Sequence, residues 1–277
     1  PTGTFKPRKL MKEGVLAYLY GQSEESFARR MGVSLDVARQ FFQNMEAQFP
    51  GLKPMKRWIL DSLMTRGKVA FSETLDGGKR RYPGYREAKR DLMALEEKCF
   101  RDGLEIYRNG GPRGRTEEEQ REIAERVERV RKGSITESDR EAIIRIGLYW
   151  RHKDKKDRFW ELRRFVSDVE RAAVNHVIQG SSAHALKRII IRLFNVCQQR
   201  GWRFITSIHD EVWLEVPKED VTEETLDIIE DCMTNTVKWT VPIKCDTVIQ
   251  PRWMEEYRRH EWDFERGCPK DAVSSGA

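Results

Sequence analysis

Apolar side chains recur every three to four residues through residues 9–49, which predicts helices, with Ser34 as a candidate N-cap for one of them. The dipeptide at residues 50–51 (Pro-Gly) interrupts this pattern, and residues 53–65 predict a further helix. A glycine-containing turn in the middle of residues 69–83 predicts a short hairpin. The first part of the chain is therefore predicted to be helical with one small hairpin.

Residues 85–160 are more highly charged and keep a helical pattern. Apolar stripes predict three helices there, and Thr136 and Asp139 have the spacing of a capping box. Charged helices of this kind are typical of a solvated insertion, and a separate functional module is the alternative.

The remaining residues return to a globular pattern. Two helices are predicted on either side of an interruption at residues 179–182. Residues 204–216 predict two strands around a polar turn at residues 209–211, and a final strand is predicted over residues 243–248. From about Glu261 the chain is polar, and we expect it to fray.

The composition narrows the class of protein. The 277 residues include 51 Lys and Arg against 45 Asp and Glu, a net charge of +6 that permits a polyanionic partner without requiring one. The five cysteines are scattered without C-x-x-C spacing, which argues against a disulfide framework or a structural zinc site. No apolar run approaches the roughly 18 residues that a membrane span needs. We therefore expect a cytoplasmic protein.

Three groups of residues could carry chemistry. Asp210 and Glu211 lie together in the predicted turn, where two carboxylates suit Mg²⁺ but where a solvated turn is the simpler interpretation. Two rows at i, i+4 spacing each fall on one helix face, and each could instead be an ordinary hydrated face. The first row is Arg8, Lys12, Leu16 and Tyr20, and the second is Arg171, Asn175 and Gln179.

Taken together, these stretches resemble family A DNA polymerases, the bacterial DNA polymerase I group. Residues 8–21 resemble the motif B helix, residues 170–180 (ERAAVNHVIQG) the E-R-x-A-x-N-x-x-I-Q-G helix, and residues 208–217 (IHDEVWLEVP) motif C. The resemblance covers nearly everything outside residues 85–160 and the tail. It implies an α+β fold with helical fingers (1–84), a helical insertion (85–160), part of an antiparallel-sheet palm (161–257) and a polar tail (258–277).

The resemblance implies template-directed DNA synthesis, in which dNTPs are added to a primer 3′ end by two-metal phosphoryl transfer with Mg²⁺. Asp210 would be a metal ligand, Glu211 would support it, and Lys12 would assist the leaving group. The other implied roles are dNTP binding by Arg8, Lys12, Leu16 and Tyr20, and contact with primer–template DNA by Arg171, Asn175, Gln179, His209, Arg80 and Arg81.

The sequence also departs from the family. Family members need a second catalytic aspartate in motif A, which precedes motif B, and no stretch of these residues has the motif A pattern. We therefore expect a partner that supplies motif A and the thumb, and an isolated chain that associates through an open strand edge. Leu16 stands where Phe or Tyr is usual, a variation associated with viral members, so we expect a split polymerase of a bacteriophage acting in the host cytoplasm.

Two other functions remain as alternatives. A catalytically inactive accessory protein that holds primer–template DNA would use the two rows, but it would have no use for a triphosphate clamp. An HD-type phosphohydrolase would use His209 and Asp210, but it needs further His and Asp ligands on helices, and the other histidines show no such pairing.

Overall fold

The computed structural model describes residues 7–114 and 116–270, with the backbone alone for residues 7–10. Within these ranges the chain is mostly helical and carries two-stranded antiparallel sheets, which confirms the predicted α+β class. The helices are α1 (Pro7–Leu19), α2 (Glu24–Met31), α3 (Leu35–Gln48), α4 (Leu52–Thr65), α5 (Tyr85–Arg108), α6 (Glu117–Lys132), α7 (Glu137–Arg151), α8 (Lys156–Arg200) and α9 (Glu223–Asn235). The strands are β1 (Ala70–Glu73), β2 (Lys79–Tyr82), β3 (Arg203–Ile208), β4 (Glu211–Glu215), β5 (Val248–Ile249), β6 (Tyr257–Arg258), β7 (Trp262–Asp263) and β8 (Cys268–Pro269).

The chain divides into two compact units, Pro1–Ile178 and Gln179–Ala277. The main core of the first unit joins α4, α5, α7 and the first part of α8, where Leu63, Leu148 and Phe159 are fully buried. Burial of such side chains is the principal favourable contribution to folding, about 1.5–3 kcal/mol each. This core gives the first unit a rigid support for the helices that carry candidate site residues.

A second cluster of the first unit packs α1 against α2 and α3. Phe27 is fully buried there, and its ring centroid lies 5.5 Å from those of Phe41 and Phe42. Helix α3 begins at Ser34, whose hydroxyl accepts from the amide of Val37 at 3.3 Å, so the predicted N-cap is confirmed. The cluster fixes the orientation of α1.

Helices α5 and α7 approach each other unusually closely. A Cβ on Gly147 would lie 1.9 Å from the carbonyl oxygen of Cys99, and one on Gly103 would lie 2.0 Å from that of Ile143. Because both neighbours are backbone atoms, they cannot move aside as a side chain could. Only glycine fits at these two positions.

Asp139 forms the polar centre of α6 and α7. Its carboxylate is 1% exposed and accepts from Arg129 Nε at 2.8 Å and Arg126 Nε at 3.0 Å. The predicted capping box is confirmed, since the Thr136 hydroxyl accepts from the Asp139 amide while the Asp139 carboxylate accepts from the Thr136 amide. Hydrogen bonds from Arg129, with those from Thr136 and Arg126, hold the pKa of Asp139 well below its usual range.

In the second unit, one face of the β3–β4 hairpin packs on α9 and the second part of α8. The buried members of this cluster are Ile189, Leu193 and Cys232, and Phe204, Val212 and Leu214 of the hairpin pack against them. The hairpin's apolar residues Ile205 and Ile208 are instead 55% and 47% exposed. Among the described residues, β3 and β4 pair with each other alone.

Three sequence-based predictions about this part are wrong. Helix α8 runs from Lys156 to Arg200 without the break predicted at residues 179–182, because Ser181 is 3% exposed and tertiary packing overrides its turn preference. The strand predicted over residues 243–248 forms only as Val248–Ile249. The polar end is folded as far as residue 270, where Trp262 is 4% exposed.

None of the helices in the described ranges is long and apolar enough to cross a membrane.

Candidate functional site

Helix α1 carries the row predicted to bind a nucleotide. Lys12 is exposed, and Leu16 and Tyr20 are partly exposed one and two turns further on. The side chain of Arg8 lies outside the part that the structure describes. The described members of the row are therefore accessible to a ligand.

The end of α1 is fixed by its own backbone and by α4. The amide of Gln22 donates to the carbonyl of Ala17 at 2.9 Å, and Gly21 between them has φ 70°, as in a Schellman motif. The ammonium of Lys56 donates to the carbonyl of Tyr18 at 2.8 Å and lies 5.1 Å from the centroid of its ring. Burial lowers the pKa of Lys56, with Glu46 acting in the opposite sense. These contacts set where the helix stops.

Leu16 and Tyr20 line a cleft of about 570 Å³ that also receives Arg171 from α8. The structure thus brings together members of the two predicted rows. Sequence reasoning missed Glu13 and Arg30, which line the same cleft; the Arg30 guanidinium lies 3.4 Å from the Glu13 carboxylate. Their contact joins α1 to α2, and no periodicity within either helix could have indicated it.

Arg171 and Asn175 lie on the part of α8 that belongs to the first unit. Arg171 is exposed, donates to the Ser167 hydroxyl at 2.9 Å and pairs with the carboxylate of Asp168. The side-chain oxygen of Asn175 is buried and accepts no hydrogen bond from any residue in the described ranges. Buried acceptors without a partner are uncommon, because leaving a buried polar group without a hydrogen bond costs about 1–3 kcal/mol.

The two arginines predicted to contact DNA backbone lie on β2. Arg81 is exposed, and the guanidinium of Arg80 lies 5.6 Å from the centroid of the Tyr82 ring. The hairpin is tied to α8 through Ser72, whose hydroxyl lies 3.0 Å from the Tyr82 hydroxyl and 2.8 Å from His176 Nδ1. These hydrogen bonds therefore connect the hairpin that carries Arg80 and Arg81 to the helix that carries Arg171 and Asn175.

A second connection joins α5 to α8. The Glu170 carboxylate accepts from the Tyr85 hydroxyl at 3.0 Å and from the Lys89 ammonium at 2.8 Å. Burial, with the charge of Glu170, raises the pKa of Tyr85 above its usual range, so its hydroxyl remains a donor. Glu170 and Arg171 are adjacent on α8. The side chain of Glu170 is held by Tyr85 and Lys89, whereas that of Arg171 is exposed.

The second unit carries the predicted catalytic turn. Ile208 pairs with Glu211, so His209 and Asp210 form a two-residue turn, and His209 has φ 56°, in the left-handed region that non-glycine residues rarely adopt. His209, Asp210 and Glu211 are all exposed, and within the described ranges none of their side chains has a hydrogen bond or ion pair. Gln179 is exposed at the start of this unit.

Among the residues that the structure describes, no side chain pairs with the two carboxylates at this turn, which lies on a hairpin that a packed cluster supports from one face. Such oxygens are the ligands that Mg²⁺ prefers. No group of three or more His, Cys, Asp and Glu that could hold a metal ion occurs among residues 7–114 and 116–270. The turn could supply two oxygen ligands to a metal ion.

Comparison with known proteins finds similarity to DNA polymerases. Residues 121–255 match the family described as DNA polymerase family A, a range that includes the hairpin and α8 but not α1. This part of the chain is therefore similar to the family A DNA polymerase domain. The similarity to bacterial DNA polymerase I proteins is distant. The chain is 23% identical over 259 residues to DNA polymerase I of Chloroflexus aurantiacus, and this alignment covers 92% of this chain and 19% of that protein.

A shorter stretch is more similar to another relative. DNA polymerase I of Geobacillus stearothermophilus is 33% identical over 104 residues, which covers 37% of this chain and 11% of that protein. A solved structure titled "POL domain of Pol1 from M. smegmatis complex with DNA primer-template and dNTP" has a TM-score of 0.50 at 18% identity, covering 86% of this chain and 29% of that one, and indicates a shared fold. The chain spans about a fifth of the length of the first curated relatives that it matches.

Proposed function

We propose that this chain takes part in template-directed addition of dNTPs to a primer 3′ end, with Asp210 as a metal ligand and Glu211 in support. The observation that carries the proposal is the hairpin tip, where both carboxylates are exposed and unpartnered in the described ranges and lie within the polymerase-matched range. Mg²⁺ is commonly held by one or two carboxylates together with substrate phosphates. Bound there, Mg²⁺ would supply charge neutralisation on the transferred phosphate.

The cleft on α1 is proposed to hold the incoming dNTP. Arg8 and Lys12 bind the triphosphate, and Lys12 donates a proton or a hydrogen bond to the leaving group. Leu16 lies against the sugar and Tyr20 beside the templating base. The partial exposure of Leu16 and Tyr20 in one cleft, with Arg171 as an added cation, supports these roles.

Primer–template DNA is proposed to contact a second set of side chains. Long polar donors on one helix can bridge phosphates, sugars and groove-edge acceptors. The unpartnered oxygen of Asn175 and the exposure of Arg81 support this role. The set comprises Arg171, Asn175, Gln179, His209, Arg80 and Arg81.

We further propose that the second catalytic carboxylate and the thumb come from polypeptide outside these 277 residues, as in a split polymerase of bacteriophage type. Two observations support this. The hairpin presents two carboxylates, and the described ranges contain no group of three or more His, Cys, Asp and Glu that could hold a metal ion. Its apolar residues Ile205 and Ile208 remain exposed, as expected of strands that pack against a further segment.

The test is primer extension with Mg²⁺ and all four dNTPs, with this chain alone and with an added fragment that carries motif A. Extension is expected only in the mixture, and Asp210→Asn should lower its rate about a thousandfold, because a metal contributes several kcal/mol to phosphoryl transfer. Asp246→Asn is the matched control, since Asp246 is an exposed aspartate of the same unit.

Each other outcome contradicts part of the proposal. Undiminished extension by Asp210→Asn would remove the assigned role of Asp210. Extension by this chain alone would mean that both carboxylates lie within it. DNA binding without extension in the mixture would favour the inactive accessory protein.

A further inference from the structure

The turn between α7 and α8 carries aromatic rings and cations that the proposed function does not use. We call this group, Tyr149, Trp150, Arg151, Lys153 and Lys156, the basic corner. Trp150 is 60% exposed and Tyr149 39% exposed, at the end of a helix whose other apolar residues are largely buried. A large ring left in water loses the stabilisation that burial would give it.

The basic corner is strongly positive. Residues 149–158 contain five Lys and Arg against two Asp. Arg151 and Lys153 are exposed, and neither has an ion pair in the described ranges, whereas many other exposed arginines of the chain are paired with carboxylates. The ammonium of Lys156 lies 5.0 Å from the centroid of the Tyr149 ring. The charge is therefore available to an external anion.

The basic corner is also held rigidly on the insertion. Between its members lies His152, which is 8% exposed and has Nε2 at 2.5 Å from a carboxylate oxygen of Asp102 on α5. This contact pins the short connection between α7 and α8 to the helix beneath it. A rigid support lowers the conformational entropy that binding would cost.

We propose that the basic corner binds single-stranded DNA, with a base stacked on Trp150 and phosphates on Arg151, Lys153 and Lys156. Unpaired bases stack on aromatic rings while cations follow the backbone, and both features occur here within eight residues of one another. A duplex would offer phosphates but no free base face along its length. The inference rests on the proposed function only in that the chain acts on DNA; it assigns a contact to the insertion, which the catalytic proposal leaves without a role.

The test is fluorescence anisotropy of a labelled oligothymidylate with the full chain, without Mg²⁺ and over a series of salt concentrations. Trp150→Ala should weaken binding about tenfold. Trp150→Phe keeps a ring and should retain most of the affinity. Arg151→Ala with Lys153→Ala should lower the slope of log K against log salt by about 1.4, since each phosphate contact on a single strand contributes about 0.7.

The matched control is Arg131→Ala with Lys132→Ala, which removes the same charge from exposed positions of α6 in the same insertion. This variant should keep a larger salt slope than the Arg151/Lys153 variant. Thermal melting of each variant separates a loss of binding from a loss of fold.

Three results would overturn the inference, and they are distinguishable. If the wild-type chain binds and the basic-corner variants match it in affinity and salt slope, the corner does not contact DNA and the proposed function stands. If the wild-type chain fails to bind the oligothymidylate, the corner does not bind single-stranded DNA, while the proposed function is decided separately by primer extension. If the Arg131/Lys132 variant loses as much affinity as the Arg151/Lys153 variant, the loss reflects the net charge of the chain. That result would also contradict the proposal that the basic corner binds DNA.

Discussion

Asp139 on α7 and Asp210 on the β3–β4 hairpin are chemically identical side chains in opposite situations. Asp139 is 1% exposed and its oxygens accept from Thr136, Arg126 and Arg129. Asp210 is exposed, and in the described part of the chain no residue pairs with it. The chain satisfies the first carboxylate completely and leaves the second available. A buried, paired carboxylate stabilises a fold, whereas one that is held out without partners can bind an external cation.

The surroundings of the two aspartates differ in the same way. Around Asp139, α5 and α7 approach closely at Gly103 and Gly147, a contact that we call the glycine crossing. An apolar cluster shared by α5, α6 and α7 packs beside it. Around Asp210, a two-stranded hairpin is packed on one face and leaves Ile205 and Ile208 exposed. Asp139 is therefore enclosed by packed helices of the first unit, whereas the hairpin leaves one face open within the described part of the chain.

The largest effect on stability is expected from Asp139→Asn. The change removes the charge that compensates two arginines, and breaking a buried ion pair from one side costs about 3–5 kcal/mol. Urea unfolding of the full chain measures it. Asp210→Asn is the matched variant and should change the free energy of unfolding by less than about 0.5 kcal/mol. Equal losses in the two variants would contradict the comparison.

A somewhat smaller loss is expected from Gly147→Ala. The added Cβ would lie 1.9 Å from the carbonyl oxygen of Cys99, so the two helices must separate, and overpacking of this kind costs about 1–3 kcal/mol. Gly51→Ala is the control, because a Cβ there meets nothing within 4 Å and its φ is −74°. Thermal unfolding measures the melting temperatures of the two variants and the wild type. If Gly147→Ala melts at the wild-type temperature, α5 and α7 do not pack as closely at Gly147 as described.

The contribution of Asp139 should also depend on pH. Its pKa in the folded chain lies below the value of about 3.9 in an unfolded chain, so its contribution is fully present above that value and is lost as the pH falls. The difference in unfolding free energy between wild type and Asp139→Asn should therefore narrow below about pH 4. A difference that stays constant down to pH 2 would show that the charge of Asp139 is not what stabilises the fold.

The smallest effect on stability is expected from Ile205→Lys, because this side chain is 55% exposed. Its effect on association should be larger, since a lysine on an open strand opposes edge pairing. Sedimentation velocity of the isolated chain should show less self-association for the variant than for the wild type. A wild-type chain that stays monomeric at every concentration would contradict the interpretation of the hairpin as an incomplete sheet.

Local patterns predicted those features that depend on neighbours in sequence. The Ser34 cap, the Thr136–Asp139 capping box and the strand–turn–strand around Asp210 all follow from residues within a few positions of one another. The resemblance carried by residues 170–180 and 208–217 also lies in short local motifs, and both stretches fall within the family match.

Features that depend on contacts distant in sequence could not be predicted in this way. The arginines that pair with Asp139 come from another helix, and the arrival of Arg171 beside Leu16 depends on how α8 packs. The continuity of α8 was missed because Gly180 and Ser181 signal a turn until tertiary packing is known. In α8 and in the folded end around Trp262, burial overrides a local preference.

The glycine crossing has a consequence for how this region can vary in length. A residue inserted into α5 between Cys99 and Gly103, or into α7 between Ile143 and Gly147, would turn one member of the crossing away by about 100° and bring a side chain against backbone. In the connection that follows α5, by contrast, a Cβ on Gly110 would meet nothing within 4 Å. Natural insertions and deletions, and any tag or domain spliced in by an experimenter, should therefore be tolerated in that connection and rejected along the two helices.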